Sequence, residues 1–255
     1  EEFRITERDY PFYYLYADNL ADEPFPLYFM NGVDDLPYME LEDVARLLFT
    51  FSDNENFDLN WKSEGSVVKV TRETDYTMEL DFEKNTISFL DYNAFLSDVD
   101  EHSLIDIVSL PGFNQDGEVS LFQRDRLASY DRYGDIVVLD LDAYHIDLIA
   151  QDGGCYIPLQ TVSDFLVAPN TNLNLLFNGE SVIFGNGATI VDEETGMLTP
   201  LGELYYDVPE RQISPELAEF TYHQLCLVLD QLYGPKEPPE IRGFAQTFWA
   251  HAFDE

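Results

Sequence analysis

The sequence predicts an α+β fold: two tandem units of antiparallel sheet, each wrapped on a short helix, followed by a helical C-terminal tail. Three observations lead there. A segment, Tyr38-Met39-Glu40-Leu41-Glu42-Asp43-Val44-Ala45-Arg46-Leu47-Leu48, returns as Tyr156-Ile157-Pro158-Leu159-Gln160-Thr161-Val162-Ser163-Asp164-Phe165-Leu166, at a constant offset of 118 from 38/156 to 48/166. Its matched positions are the apolar ones, with the three, four and one spacing of a short amphipathic helix, while the polar positions drift. Short alternating runs surround both copies. A repeat that keeps its apolar positions and lets its polar ones vary has a shared packing role.

In the first unit, residues 12–16 and 27–30 are predicted strands, and Asn31-Gly32 closes the second as a turn. The helix of the first copy follows over about 40–49. Residues 57–61, 67–70, 76–82 and 86–89 then read as strands, with Glu83-Lys84-Asn85 joining the last two as a hairpin. Residues 97–131 are less regular, and Asn114-Gln115-Asp116-Gly117-Glu118 reads as a turn.

The second unit is expected to open near Tyr133-Gly134-Asp135, with strands at 136–141 and 146–149. Gln151-Asp152-Gly153-Gly154 turns the chain toward the second helix. Residues 173–177 and 181–184 read as a hairpin, and Asn178-Gly179 between them calls for a type I′ turn, because both central residues must accept positive φ. The tail starts cleanly: Ser214 suits an N-cap, Pro215 the first helical position, and Glu216 the positive end of the dipole. Leu217, Phe220, Leu225, Leu229 and Leu232 form its apolar series, Gly234-Pro235 stops it, and a last aromatic helix is expected over 241–253. So much apolar surface either packs back on the second unit or belongs against a further domain. The expected domains are 1–130, 131–210 and 211–255.

Composition narrows the function. Thirteen Lys and Arg against 50 Asp and Glu give a formal charge of -37, which repels nucleic-acid phosphates and anionic lipid. A cationic partner, a divalent metal or a saline habitat fits that surface better, although 16 Tyr and 19 Phe are a generous aromatic load for a halophile. The 45% hydrophobic content builds real cores and argues against general disorder. No run of about 18 apolar residues spans a membrane, and no leader opens the chain. Beginning with Glu, it reads as a trimmed or mature form. Cys155, at a turn-to-helix junction, and Cys226, in an apolar helix, read as small buried hydrophobes and not as a disulfide pair.

Catalytic patterns are sparse. His102, His145, His223 and His251 have no ligand spacing, and neither do the cysteines. Gly185-Asn186-Gly187 lacks the Lys-Ser/Thr of a phosphate loop. Ser66-Val67-Val68-Lys69 matches Ser-x-x-Lys, but that pattern needs a helix, and this stretch is β-branched. Asp140-Leu141-Asp142 and Asp98-Val99-Asp100-Glu101 lack the Gly and terminal Glu of a calcium loop and read as solvated acidic turns. A glycosidase-type carboxylate pair is not singled out by anything. The sequence therefore nominates no catalytic, cofactor-binding or metal-binding residue.

Each copy resembles a copper amine oxidase N-terminal-like domain: a strand, a Gly-containing turn, the Tyr156-Ile157-Pro158-Leu159 step, a short helix and a strand pair. The first copy departs by carrying Glu40 where the pattern has Pro. Such modules are common non-catalytic parts of secreted bacterial proteins, and the resemblance implies no copper. The order Phe89-Leu90-Asp91-Tyr92-Asn93-Ala94-Phe95, Leu121-Phe122-Gln123-Arg124, Cys155 to Thr161, and Leu173-Asn174-Leu175-Leu176-Phe177-Asn178-Gly179 is similar to the N-terminal region of secreted peptidases of the C-terminal-processing (tail-specific) serine peptidase family of gut Firmicutes. Tyr222-His223-Gln224-Leu225-Cys226-Leu227-Val228-Leu229-Asp230 resembles the helix entering their peptidase domain. The likeness covers about residues 10 to 255. It implies an accessory region, extracellular or on the cell surface with its leader or anchor removed, partnered by a downstream peptidase domain of the same polypeptide and by a cell-envelope polymer or protein. The family's catalytic Ser and Lys have no counterpart here. The competing expectations are a carboxylate-based hydrolase and a free-standing envelope-binding module.

Overall fold

A computed structural model of the protein describes residues 3–50, 59–72, 76–90, 92, 95, 137–171, 173–192 and 194–231. The fold is α+β with a C-terminal helix, as the sequence predicts. The chain forms two compact units, one of residues 1–48 with 141–255 and the other of residues 49–140. This grouping differs from the segments 1–130, 131–210 and 211–255, and the reason lies in how the copies pair.

The first unit is built on a five-stranded sheet in the order β1-β3-β4-β11-β10. Its strands are β1 (Ile5–Tyr10), β3 (Phe25–Met30), β4 (Pro37–Glu40), β10 (Ile149–Gln151) and β11 (Gly154–Pro158). The two copies meet at its centre: β4 and β11 are antiparallel, with Tyr38 opposite Pro158, Met39 opposite Ile157 and Glu40 opposite Tyr156. Met39 and Ile157 are equivalent positions of the repeat, so a local two-fold passes between them, and neither side chain is exposed. Each copy heads no sheet of its own; each supplies half of one. Its first residues are strand, not helix, and Cys155 accordingly lies in β11.

The halves are built alike. Asn31 (φ 52°) and Gly32 (φ 81°) turn β3 toward β4, with Val33 N–H donating to the Met30 carbonyl at 3.0 Å. Asp152 (φ 54°) and Gly153 (φ 91°) do the same between β10 and β11. Both are Asx-Gly pairs in the left-handed region, the chemistry of a type I′ turn. Helix α1 (Leu41–Thr50) then leaves β4, and α2 (Leu159–Val162) leaves β11. The second helix widens into a π turn (Ser163–Val167) before α3 (Ala168–Thr171). Pro169, which has no N–H and whose ring crowds the carbonyl four residues back, accounts for the widening.

The sheet is strongly curled. Four strand steps of about 4.8 Å would hold the edges of a flat sheet about 19 Å apart. Yet Gln151 Nε2 on β10 donates to the carbonyl of Phe3, just before β1, at 3.4 Å. Strand β1 is absent from the sequence reading because Glu7, Arg8 and Asp9 hide its alternation.

A smaller sheet in the order β12-β13-β2 completes this unit: β2 (Phe12–Tyr14), β12 (Asn174–Phe177) and the fully buried β13 (Val182–Gly185). The expected hairpin forms, but its turn is not type I′. Four residues, 178–181, connect the strands, and Gly179 (φ 90°) alone among them has positive φ. The Asn178 side chain diverts the turn: Oδ1 accepts the N–H groups of Glu180 (2.9 Å) and Ser181 (2.8 Å). Its Nδ2 donates to the carbonyls of Leu204 and Tyr205, at the end of a helix over Pro200–Tyr206.

The second unit is a sequential antiparallel meander of β5 (Leu59–Glu64), β6 (Val67–Arg72), β7 (Tyr76–Asp81), β8 (Thr86–Phe89) and β9 (Val137–Asp140). Strand β9 closes this sheet against β8 and does not open the second copy. Val68, Val70, Met78, Leu80, Ile87, Phe89 and Leu139 form its core.

The tail helix α4 (Pro215–Gln231) packs back on the first unit. Ser214 caps it, its Oγ accepting Leu217 N–H at 3.0 Å while Ser214 N and Oγ donate to the Asp35 carboxylate at 2.7 and 2.6 Å. The buried face matches the apolar series the sequence picks out only at Phe220. Leu225 is 52% exposed, and the buried residues are Phe220, His223, Gln224, Cys226, Leu227 and Asp230. Polar groups can face inward because each finds a partner. Thr161 Oγ1 donates to Gln224 Oε1 (2.8 Å), Gln224 Nε2 donates to Asp164 Oδ2 (2.7 Å), and Gln160 Nε2 donates to Asp164 Oδ1 (2.8 Å). Tyr144 OH donates to Asp230 Oδ2 at 2.8 Å. The His145 and His223 rings meet edge to face at 4.9 Å. The expected aromatic helix at 241–253 lies outside the described residues, as do 97–131.

Gln224→Ala strips one donor from the half-buried Asp164 and an acceptor from Thr161. It is expected to lower the unfolding free energy by about 1–3 kcal/mol, read by chemical denaturation. His223 supplies a pH test. Burial first, and His145 second, hold its imidazole below the ordinary 6.5, against the opposing pull of Glu219 at 3.8 Å. A depressed folded value means this contribution is complete above 6.5 and is lost as pH falls toward the folded value. Amide exchange in α4, corrected for intrinsic rate, is therefore expected to accelerate below that pH, and His223→Gln to remove the acceleration.

Candidate functional site

The curl of the five-stranded sheet creates the candidate site. Paired residues share a face, so Glu7 and Tyr28, then Glu40 and Tyr156, lie on the same side across four strands. In a flat sheet, β3 and β11 would sit two steps, or about 9.6 Å, apart. The rings of Tyr28 and Tyr156 nonetheless approach to 5.0 Å between centroids, tilted by 56°. This face is therefore concave, floored by β4 and walled by two half-buried tyrosines. Tyr156 lies back along its own strand over Gly154, where any Cβ would collide with its hydroxyl. A larger residue there would require the Tyr156 ring to shift.

Glu40 sits at the centre of this face and at the start of α1. Its Oε2 accepts Glu42 N–H at 3.0 Å, so it caps α1, whereas its equivalent Pro158 begins α2 without any side-chain cap. Burial raises its carboxyl above the ordinary range; the charge of Glu42 adds to this, and backbone N–H bonds from Glu42 and Cys155, with Arg46, hold it down. The phenols respond to the same surroundings. Tyr28 is pushed up to about 12 by burial first and then by Glu7, Glu40 and Tyr156, with Arg46 opposing. Tyr156 is raised by burial, then Glu40 and Glu7. Burial and Glu40 also raise the Cys155 thiol.

These directions define what the face can do. Both phenols stay protonated and donate hydrogen bonds near neutrality, the carboxylates accept them, and the rings offer flat apolar area. The neighbouring thiol is kept from its reactive thiolate form. Hydroxyl-rich or extended ligands match this combination of stacking surface and short polar arms.

The sequence candidates fall elsewhere. His145 and His223, 78 positions apart from 145 to 223, are brought together on the tail-helix seam. No spacing rule could pair them. Cys155 is half-buried, Cys226 is buried, and both are free thiols. Lys69 lies in strand β6, and Ser66 precedes it in a turn where its Oγ donates to Glu83 at 3.5 Å. Asp140 ends β9, and Asp142 begins a 3-10 turn. His102, His251 and Asp98-Val99-Asp100-Glu101 lie outside the described residues. Among the described residues, no group of three or more His, Cys, Asp or Glu could hold a metal ion, and no helix is long and apolar enough to cross a membrane. The tyrosine face escaped the sequence reading because its members come from four strands. Tyr156 and Glu40 alone carried a signal, through the repeat.

Alkaline titration followed by phenolate absorbance checks the environment of the face. Tyr28 is expected to ionise only near pH 12, and Tyr28→Phe to remove a step at that end of the curve. Removing the Tyr28 ring is also expected to ease the ionisation of Tyr156. No protein-family model, no curated protein and no solved structure matches this chain, so the concave face itself is the ground for a functional reading.

Proposed function

We propose that this chain is a non-catalytic accessory and binding region of a secreted bacterial serine peptidase, with the peptidase domain downstream in the same polypeptide. Its place is extracellular or at the cell surface, and its ligand is a cell-envelope polymer or protein held on the concave face of the five-stranded sheet. The observation that carries this reading is the chemistry of that face. Two tyrosines kept protonated beside two carboxyl groups favour adhesion over bond-making, and the Cys155 thiol, on the opposite face of β11, is held back from ionising. Among the described side chains, every matched position of the repeat except Tyr156 is spent on core packing, which supports it too. The reading assigns no catalytic residue, cofactor or metal, and it includes neither nucleic acid nor membrane insertion.

One observation favours the hydrolase alternative: Glu40 is a partly buried carboxyl raised above its ordinary value, with Glu7 close enough to act on the same tyrosines. Its bond to Glu42 N–H gives it a structural occupation that accounts for the burial.

Co-sedimentation of the chain with purified peptidoglycan and wall polysaccharide tests the proposal. Binding is expected, and Tyr28→Ala with Tyr156→Ala is expected to weaken it at least about tenfold, the loss of one to two stacking contacts. Turnover of an envelope glycan that disappears in Glu40→Gln would instead establish the hydrolase. A reading frame that stops at Glu255 would remove the peptidase from the proposal and leave the free-standing binding module.

A further inference from the structure

Among the described residues, the five-stranded sheet leaves one long edge unpaired, β1, and its pairing shows which backbone groups point outward. Asn31 N–H donates to the Arg4 carbonyl at 2.8 Å, and Arg4 N–H donates to Asn31 Oδ1 at 3.0 Å, so Arg4 directs its main-chain groups toward the β3 side. Antiparallel pairs alternate, so Thr6, Arg8 and Tyr10 do likewise. The amides of Ile5, Glu7 and Asp9 therefore point outward. Phe3 shares that parity, and its carbonyl is the one that accepts Gln151 Nε2 from β10. One outward group is thus already satisfied by a side chain, and the stretch from Ile5 to Asp9 has no such partner among the described residues.

Edge strands invite addition of another strand, and charge on the edge decides which one. The sequence Glu7-Arg8-Asp9 alternates in sign, and strand geometry sends Arg8 to one face and Glu7 and Asp9 to the other. Arg8 stands beside an open groove of about 660 Å³ lined also by Arg4, Thr6, Asn31 and Asp34. Its guanidinium bonds Asp34 at 2.6 Å but stays 40% exposed. A second copy of β1 fits this edge poorly. Outward amides must face outward amides, and the central antiparallel registers then set Glu7 against Glu7, or Arg8 against Arg8 with Glu7 against Asp9. Like charges directly opposite are unfavourable. A peptide of complementary alternation meets no such conflict.

We propose that the open edge of β1 receives, as a sixth antiparallel strand, an extended peptide that places basic residues opposite Glu7 and Asp9 and an acidic residue opposite Arg8. The acidic side chain enters the arginine groove, and the basic ones lie on the concave side. Outward main-chain groups of Ile5, Glu7 and Asp9 supply the ladder. This site adjoins the tyrosine face, with which it shares Glu7, but its ladder lies on the edge of β1, and it stands without the peptidase reading.

The probe is a fluorescent, end-blocked Thr-Lys-Glu-Lys-Thr-Val peptide, titrated by anisotropy with the 255-residue chain at low salt. Saturable binding is expected. Glu7→Lys should weaken it about tenfold, and exchanging the facing peptide Lys for Glu should restore it. N-methylation of the peptide amides that face β1 should abolish it. Glu7→Pro removes an outward N–H without touching the β3 ladder, so it should abolish binding while leaving the melting temperature near that of the parent chain. Absence of binding at millimolar peptide, indifference to N-methylation, failure of the charge exchange to restore affinity, or a dimer in sedimentation that Glu7→Pro dissolves would each overturn the proposal.

Discussion

The contact between Met39 and Ile157 is the constraint on which the first unit depends. It lies on the local two-fold, both side chains are fully buried, and it joins strands 118 residues apart in the chain. Removing it would leave a three-stranded and a two-stranded fragment, each with a helix, and a two-stranded ribbon is marginal in water. The β4–β11 pairing makes them one five-stranded sheet with a common core. The curl, the concave face and the open β1 edge are all properties of the joined sheet and belong to neither half.

Symmetry also clarifies where function can sit. Positions that keep their apolar character in both copies serve the core. Differences between copies mark what has been released from that duty. Glu40 stands where the other copy has Pro158, and it brings a carboxylate into the centre of the concave face while still capping its helix. Tyr38 and Tyr156 are equivalent in the repeat, yet Tyr38 is buried and Tyr156 is half exposed and reaches across to Tyr28. One position of the repeat thus stands in two environments.

Local features of the chain were legible from residue patterns. The repeat, the Asn31-Gly32 turn, the meander strands and the Ser214-Pro215 helix start each depend on neighbours within a few residues. What was not legible depends on distant partners. The pairing of the copies needs a strand 118 residues away. The buried face of α4 was misjudged because Gln224 and Asp230 are acceptable inside only when Asp164, Thr161 and Tyr144 are there to bond them. The 178–181 connection departed from type I′ because Asn178 spends its side chain on its own loop and on the carbonyls of Leu204 and Tyr205. The candidate face drew on four strands, and only Glu40 and Tyr156 of its residues stood in a recognisable motif.

Placing a whole meander between the two halves of one sheet also imposes a delay on a nascent chain. Ribosomes add about 5–20 residues per second, so the 118 residues separating Met39 from Ile157 take about 6 to 24 s to appear. Through that interval the inner edge of β4, with Tyr38 and Met39, waits without its partner strand. The meander can fold meanwhile, since its pairings are all between sequential strands. The vulnerable species during synthesis is therefore the N-terminal half-sheet, and its exposed edge is the surface a holding chaperone would have to cover.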